Sequence, residues 1–144
     1  RATHKEVDWV FMGMCLPQFR PYVAEVHHAV TFADYAAKVA SLNLDLAVAP
    51  LEINPFNEAK SNLRLLEYGV LGWPVVCSDI YPYQTNDAPV CRVPNQAEAW
   101  IEAIRARAHD MDATAREGDA LRDWFNRHYW LEDHYEDWFR ILHG

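Results

Sequence analysis

Lys60, Ser61, Asn62 and Glu67 are the residues in this chain whose types and spacing could do chemistry. The run PFNEAKSNLRLLEYGVLG predicts a helix over 60–71, stopped by Gly72. The first amides of a helix have no partner inside it, and the helix dipole adds positive potential there. The amides of Lys60, Ser61 and Asn62 would therefore form an anion cradle, with a lysine charge and a serine hydroxyl beside them. Glu67 follows Lys60 by seven residues and returns to nearly the same helix face, about 10 Å along the axis. A carboxylate there suits the paired hydroxyls of a ribose, so the two ends could bracket the diphosphate and ribose of one nucleotide. The same residues also allow a plainer reading. Arg64 lies three positions before Glu67, and such pairs are common on solvated helix faces. Neither GxGxxG nor a Walker pattern occurs in the chain.

The elements around this segment must place it at a ligand-binding edge. VDWVFMG, 7–13, reads as a strand ending at a glycine, and VAEVHHAV, 23–30, as a weaker one. Pro17 and Pro21 allow LPQFRPY only a short helical turn. Thr31 is placed to cap a helix from Phe32 that stops near Asn43. DLAVAPL, 45–51, is short and nearly all apolar, as a buried parallel strand is. PVVCSD and PVCRV supply two more strands, and Asn95 could cap a helix through EAWIEAIRARAH. Two further helices are expected over 113–127 and 132–142. Strands alternating with helices imply an α/β fold: a Rossmann-like, doubly wound, mostly parallel sheet. Ligands then bind beyond the carboxyl ends of the strands, in the loops after Gly13, Leu51 and Asp79.

Composition narrows the function classes. One domain over residues 1–144 is expected, with a helical tail over 112–144. A formal charge of −8 disfavours nucleic acid as a partner. Cys15, Cys77 and Cys91 are an odd, unpaired set, which argues for structural thiols in a reducing, cytoplasmic compartment. No stretch is long and apolar enough to span a bilayer. His27 and His28 have no metal-ligand spacing, so no metal is expected and both read as structural histidines, solvent-facing or partly buried. Tyr81 and Tyr83 flank Pro82 and either shape a cleft or brace a turn. Tyr135, Trp138, Phe139 and Leu142 recur at helical spacing behind Trp124, Phe125, Tyr129 and Trp130. This aromatic stripe reads first as packing against the sheet, and otherwise as a dock for another domain. A doubly wound signalling domain would need acidic residues clustered at strand ends, where only Asp79 stands.

The run PFNEAKSNLRLLEYGVLGWPVVCSD resembles the C-terminal domain of group 1 glycosyltransferases, the large retaining GT-B family. The resemblance extends over 7–107 through DLAVAPL, VDWVFMG and the run Asp-Ile-Tyr-Pro-Tyr after the Pro-Val-Val strand. It implies a nucleotide-diphosphate sugar as donor and co-substrate, with no further cofactor. The amides of Lys60 to Asn62 would hold the diphosphate and Glu67 the ribose. Asn57 and Glu58 would lie where the donor sugar approaches, and Gly13 would let the backbone come close at the first loop. The acceptor would sit on a separate N-terminal domain, making the chain inactive alone, and the parent enzyme could work at the inner membrane surface. Many relatives carry two glutamates separated by seven residues; here that position is Ala59, with Glu58 beside it. The family also opens with a strand and helix ahead of VDWVFMG. Without that central strand, the sheet is expected either to close into five strands or to keep an edge filled by another chain, with self-association through it.

Overall fold

The computed structural model describes residues 2–143. The chain is α/β, with five short parallel strands and six α-helices among these residues. In order they are β1 (Val10–Met12), β2 (Glu25–His27), α1 (Phe32–Ala40), β3 (Ala47–Ala49), α2 (Pro55–Glu58), α3 (Leu63–Leu71), β4 (Val75–Ser78), β5 (Cys91–Val93), α4 (Ala97–His109), α5 (Met111–Tyr129) and α6 (Tyr135–His143). Short 3-10 turns cover Arg20–Tyr22, Tyr81–Asp87 and Leu131–His134.

The strands form two sheets, ordered β1-β2 and β3-β4-β5. The single closed five-stranded sheet therefore does not occur: β1 and β3 stay apart and pair only with β2 and β4. β4 lies between two neighbours and is buried at every residue, which explains its unbroken apolar run Val75–Cys77. β1 is equally apolar but only half-buried, because among the described residues it has no strand on its second edge.

The core gathers around β4. Leu65 from α3, Leu121 and Trp124 from α5, and Ile80 close over Val75 and Cys77. Each of these large side chains contributes about 1.5–3 kcal/mol by leaving water. α3 ends at Gly72, whose φ of 69° is the left-handed stop expected of a helix C-terminus. α5 passes this turn at Gly118, where a Cβ would overlap the Gly72 carbonyl oxygen.

Capping follows the sequence reading at Thr31, departs from it at Asn95, and adds Asp110. The Thr31 hydroxyl accepts from the Asp34 amide, and the Asp110 carboxylate accepts from Ala113 at the start of α5. Asn95 does not cap α4, whose N-cap position is Gln96. Its side chain instead joins strand ends. Nδ2 donates to the Leu51 carbonyl at 2.7 Å, and Oδ1 accepts from the Ser78 hydroxyl at 2.7 Å.

The aromatic tail divides. Trp124 is buried, and Phe125 and Tyr129 pack beside it. α6 buries none of its residues, and Tyr135, Trp138, Phe139 and Leu142 are all more than half exposed. Packing of the whole stripe against the sheet is thus corrected for α6. This helix follows α5 through a short 3-10 turn, Leu131–His134.

Candidate functional site

The segment between β3 and β4 folds as two helices rather than one. Asn54 sits before Pro55, and its side chain accepts from the Asn57 amide, which starts α2. The Lys60 amide donates to the Asn57 carbonyl and closes that short helix. α3 then begins at Leu63, three residues later than the sequence reading placed it. The local cap at Asn54 outcompetes a continuous helix across Ala59 and Lys60.

This shift changes the anion cradle. Lys60 is not one of its amides, and its ammonium lies 4.9 Å from the Phe56 ring centroid. The cradle consists of Ser61, Asn62, Leu63 and Arg64, whose amides form no hydrogen bond among the described residues. Ser61 is exposed. Asn62 is the N-cap residue of α3 but gives it no side-chain cap; its Nδ2 donates to the Tyr129 hydroxyl at 2.8 Å. The turn is therefore held in place by α5 while its amides stay open.

Glu67 lies four residues into α3 from Leu63, about 6 Å along the axis rather than about 10 Å. Its Oε2 accepts from Arg64 Nη1 at 2.7 Å and from the Tyr35 hydroxyl at 3.4 Å. Arg64 Nη1 also donates to the Tyr35 oxygen at 2.7 Å. This is the i,i+3 pair of the plainer reading, extended by a tyrosine from α1. Burial opposes the Arg64 charge, but the Tyr35 hydrogen bond and the nearby Tyr68 and Glu67 outweigh it, and the guanidinium is held more firmly charged than usual. Both contacts fall on Oε2, so Oε1 of Glu67 remains open to a donor.

Asn57 is buried, and its Nδ2 donates to the Glu52 carbonyl at 2.8 Å, so it shapes the loop. Glu58 Oε2 accepts from the Tyr81 amide at 3.3 Å and ties α2 to the turn after β4. Tyr81 is exposed on that turn, whereas Tyr83 is buried and burial pushes its phenol up to about 12. Gly13 ends β1 with a φ of 91°, where glycine is favoured, and no atom lies within 4 Å of a Cβ placed there. It belongs to the other sheet and is not joined to the α3 turn by any hydrogen bond among the described residues. Asn57 and Glu58 thus lie on α2, Ser61 and Asn62 on the turn before α3, and Glu67 on α3, each with its own partners. The structure places Gly13 across the break between the sheets and turns Lys60 to Phe56.

Sequence reasoning missed Tyr35, Ser78 and Tyr129. Ser78 accepts from the Leu51 amide at 2.8 Å while donating to Asn95, locking the carboxyl ends of β3 and β4. Tyr129 receives Asn62 and, at 3.2 Å, Asn86, joining the α3 turn to the turn after β4. Only the polar end of a strand and an aromatic at a helix terminus mark them, and neither signal names a partner.

His27 is half-buried. Lys38 Nζ lies 3.0 Å from its Nδ1 and Glu25 Oε2 lies 2.8 Å from its Nε2, so Nδ1 accepts from the ammonium and Nε2 donates to the carboxylate. His28 is exposed. Among the described residues no cluster of three or more His, Cys, Asp or Glu side chains could hold a metal ion, and no helix is long and apolar enough to cross a membrane. Comparison with family models, curated proteins and solved structures finds no match to this chain.

Proposed function

We propose that the chain is the donor-binding domain of a GT-B-type glycosyltransferase, which takes a nucleotide-diphosphate sugar and passes the sugar to an acceptor hydroxyl held on an N-terminal domain. The observation that carries this reading is the open set of amides from Ser61 to Arg64, one helical turn above Glu67. Four amides and a helix dipole can stabilise the leaving diphosphate electrostatically, as charge develops on it. The Ser61 hydroxyl adds a donor, and Oε1 of Glu67 can accept from ribose hydroxyls while Oε2 stays with Arg64. The resemblance of the run from Pro55 to Asp79 supports the same assignment.

A second reading, a non-catalytic nucleotide-binding or scaffolding α/β module, is favoured by one observation. The Arg64–Glu67–Tyr35 cluster is complete without a ligand. Calorimetric titration of the chain with UDP and GDP separates the readings. For the donor domain, one diphosphate binds saturably, amide resonances of Ser61 to Arg64 shift, and Glu67→Ala weakens binding by about 1–3 kcal/mol. Binding unmoved by that change supports the scaffolding module. No saturable binding of either nucleotide overturns the donor-site reading.

A further inference from the structure

The cluster of Tyr35, Arg64 and Glu67 has one carboxylate oxygen occupied and the other spare. Arg64 Nη1 donates to Glu67 Oε2 at 2.7 Å and to the Tyr35 oxygen at 2.7 Å, and the Tyr35 hydroxyl donates to the same Oε2 at 3.4 Å. Both donors meet Oε2, and Oε1 has no hydrogen-bond partner among the described residues. Tyr35 comes from α1, and Arg64 and Glu67 from α3, so the phenol reaches across 29 and 32 residues of chain.

Stability gives little reason for such a cluster. The Arg64 side chain is 52 % exposed and that of Glu67 21 %. An ion pair so open to water adds little to folding, because solvent screens it and two long side chains lose rotamer freedom. What the cluster does fix is orientation. The last torsion of a glutamate is broad, so a lone carboxylate exchanges its oxygens freely. Two donors on Oε2, one of them anchored on a second helix, stop that exchange and leave Oε1 as the standing acceptor.

We propose that Tyr35 is a positioning residue of the candidate donor site, an inference that rests on the donor-domain reading. By holding Arg64 and Glu67 together it limits Glu67 to one acceptor oxygen, so the site reads a single ribose hydroxyl rather than the vicinal pair. A vicinal diol donates best with one hydroxyl to each carboxylate oxygen. With Oε2 filled, one hydroxyl takes Oε1 and its neighbour stays with water. Hydrogen bonds to a charged group are the stronger kind, so the hydroxyl that is read sets the preference for a ribonucleotide. Removing the Tyr35 oxygen takes one donor from Oε2 and one acceptor from Arg64. Glu67 then turns, both of its oxygens are offered, and the distinction between the two hydroxyls fades.

The test is calorimetric titration of the whole chain with UDP, its two deoxyribose analogues and inorganic diphosphate. The analogue lacking the hydroxyl that is read should bind about ten-fold more weakly than UDP, and the other within about two-fold. In Tyr35→Phe the gap between the analogues should shrink to about three-fold or less, whereas inorganic diphosphate, which has no hydroxyl for Glu67, loses no affinity. Arg64→Lys keeps the charge but not the planar fork, and should shrink the gap in the same direction. A merely structural tyrosine would weaken all four ligands together in Tyr35→Phe, and that result overturns the proposal. Equal losses with both analogues in the unaltered chain also overturn it, as does a gap that both substitutions leave untouched. Failure of UDP and diphosphate alike to bind overturns the donor-domain reading and the proposal with it; UDP binding with an unmoved gap overturns the proposal alone.

Discussion

Gly118→Ala should destabilise this protein, although alanine is the better helix former. Gly118 lies inside α5, where replacing glycine by alanine ordinarily stabilises by about 1 kcal/mol. Here the added Cβ would overlap the Gly72 carbonyl oxygen and stand 2.9 Å from Pro74 Cδ. Both obstacles are rigid: one is backbone at a left-handed turn, the other a proline ring that opens β4. Forcing a methyl into such a contact costs about 3 kcal/mol, so the net loss is about 2 kcal/mol. An unfolding entropy of about 2.1 cal/mol/K per residue gives about 0.3 kcal/mol/K over the whole chain. The melting temperature should then fall by about 7 °C, read by far-ultraviolet circular dichroism at one scan rate. An unchanged or raised melting temperature would refute the reasoning, because it would mean that α5 does not rest on the Gly72 turn.

Two further outcomes are expected. Tyr129→Phe strips Asn62 and Asn86 of a shared acceptor and should lower stability by about 1–2 kcal/mol in urea unfolding, with faster amide exchange in the first turn of α3. Burial pushes the Cys77 thiol from an ordinary value near 9 up to about 12. The unfolded chain ionises this thiol first, so its contribution is intact below about pH 9 and is lost as pH rises toward 12. Cys77 should therefore resist a thiol reagent at pH 8 until urea unfolds the chain, whereas half-buried Cys15 and Cys91 react sooner.

Strand identity was legible because β3, β4 and β5 announce themselves as short apolar runs between proline, glycine and aspartate. Their pairing was not. Periodicity says that Val10–Met12 is a strand, but not that its second edge stays empty. That depends on what lies across the gap, and no local pattern encodes it. At the candidate site, the cap at Asn54 could have been read from the sequence Asn-Pro, and reading it would have moved the helix start to Leu63. The Arg64–Glu67 spacing was visible, yet the part played by Tyr35, 32 residues away, rests on tertiary packing. α5 was placed nearly in full because its apolar positions recur every turn. The exposure of α6 could not be foreseen, since its equally amphipathic pattern is the same whether or not a partner covers it.

α3 and α5 run antiparallel and meet at both ends of α3, Asn62 with Tyr129 at the end of α5 and Gly72 with Gly118 in its interior. Ten residues of one and eleven of the other separate these points, about 15 and about 17 Å at 1.5 Å per residue, so the two spans match. Spans gripped at both ends over equal lengths cannot fray one at a time. They should open together as a single cooperative unit, leaving α6 free to melt earlier and at little cost to the rest.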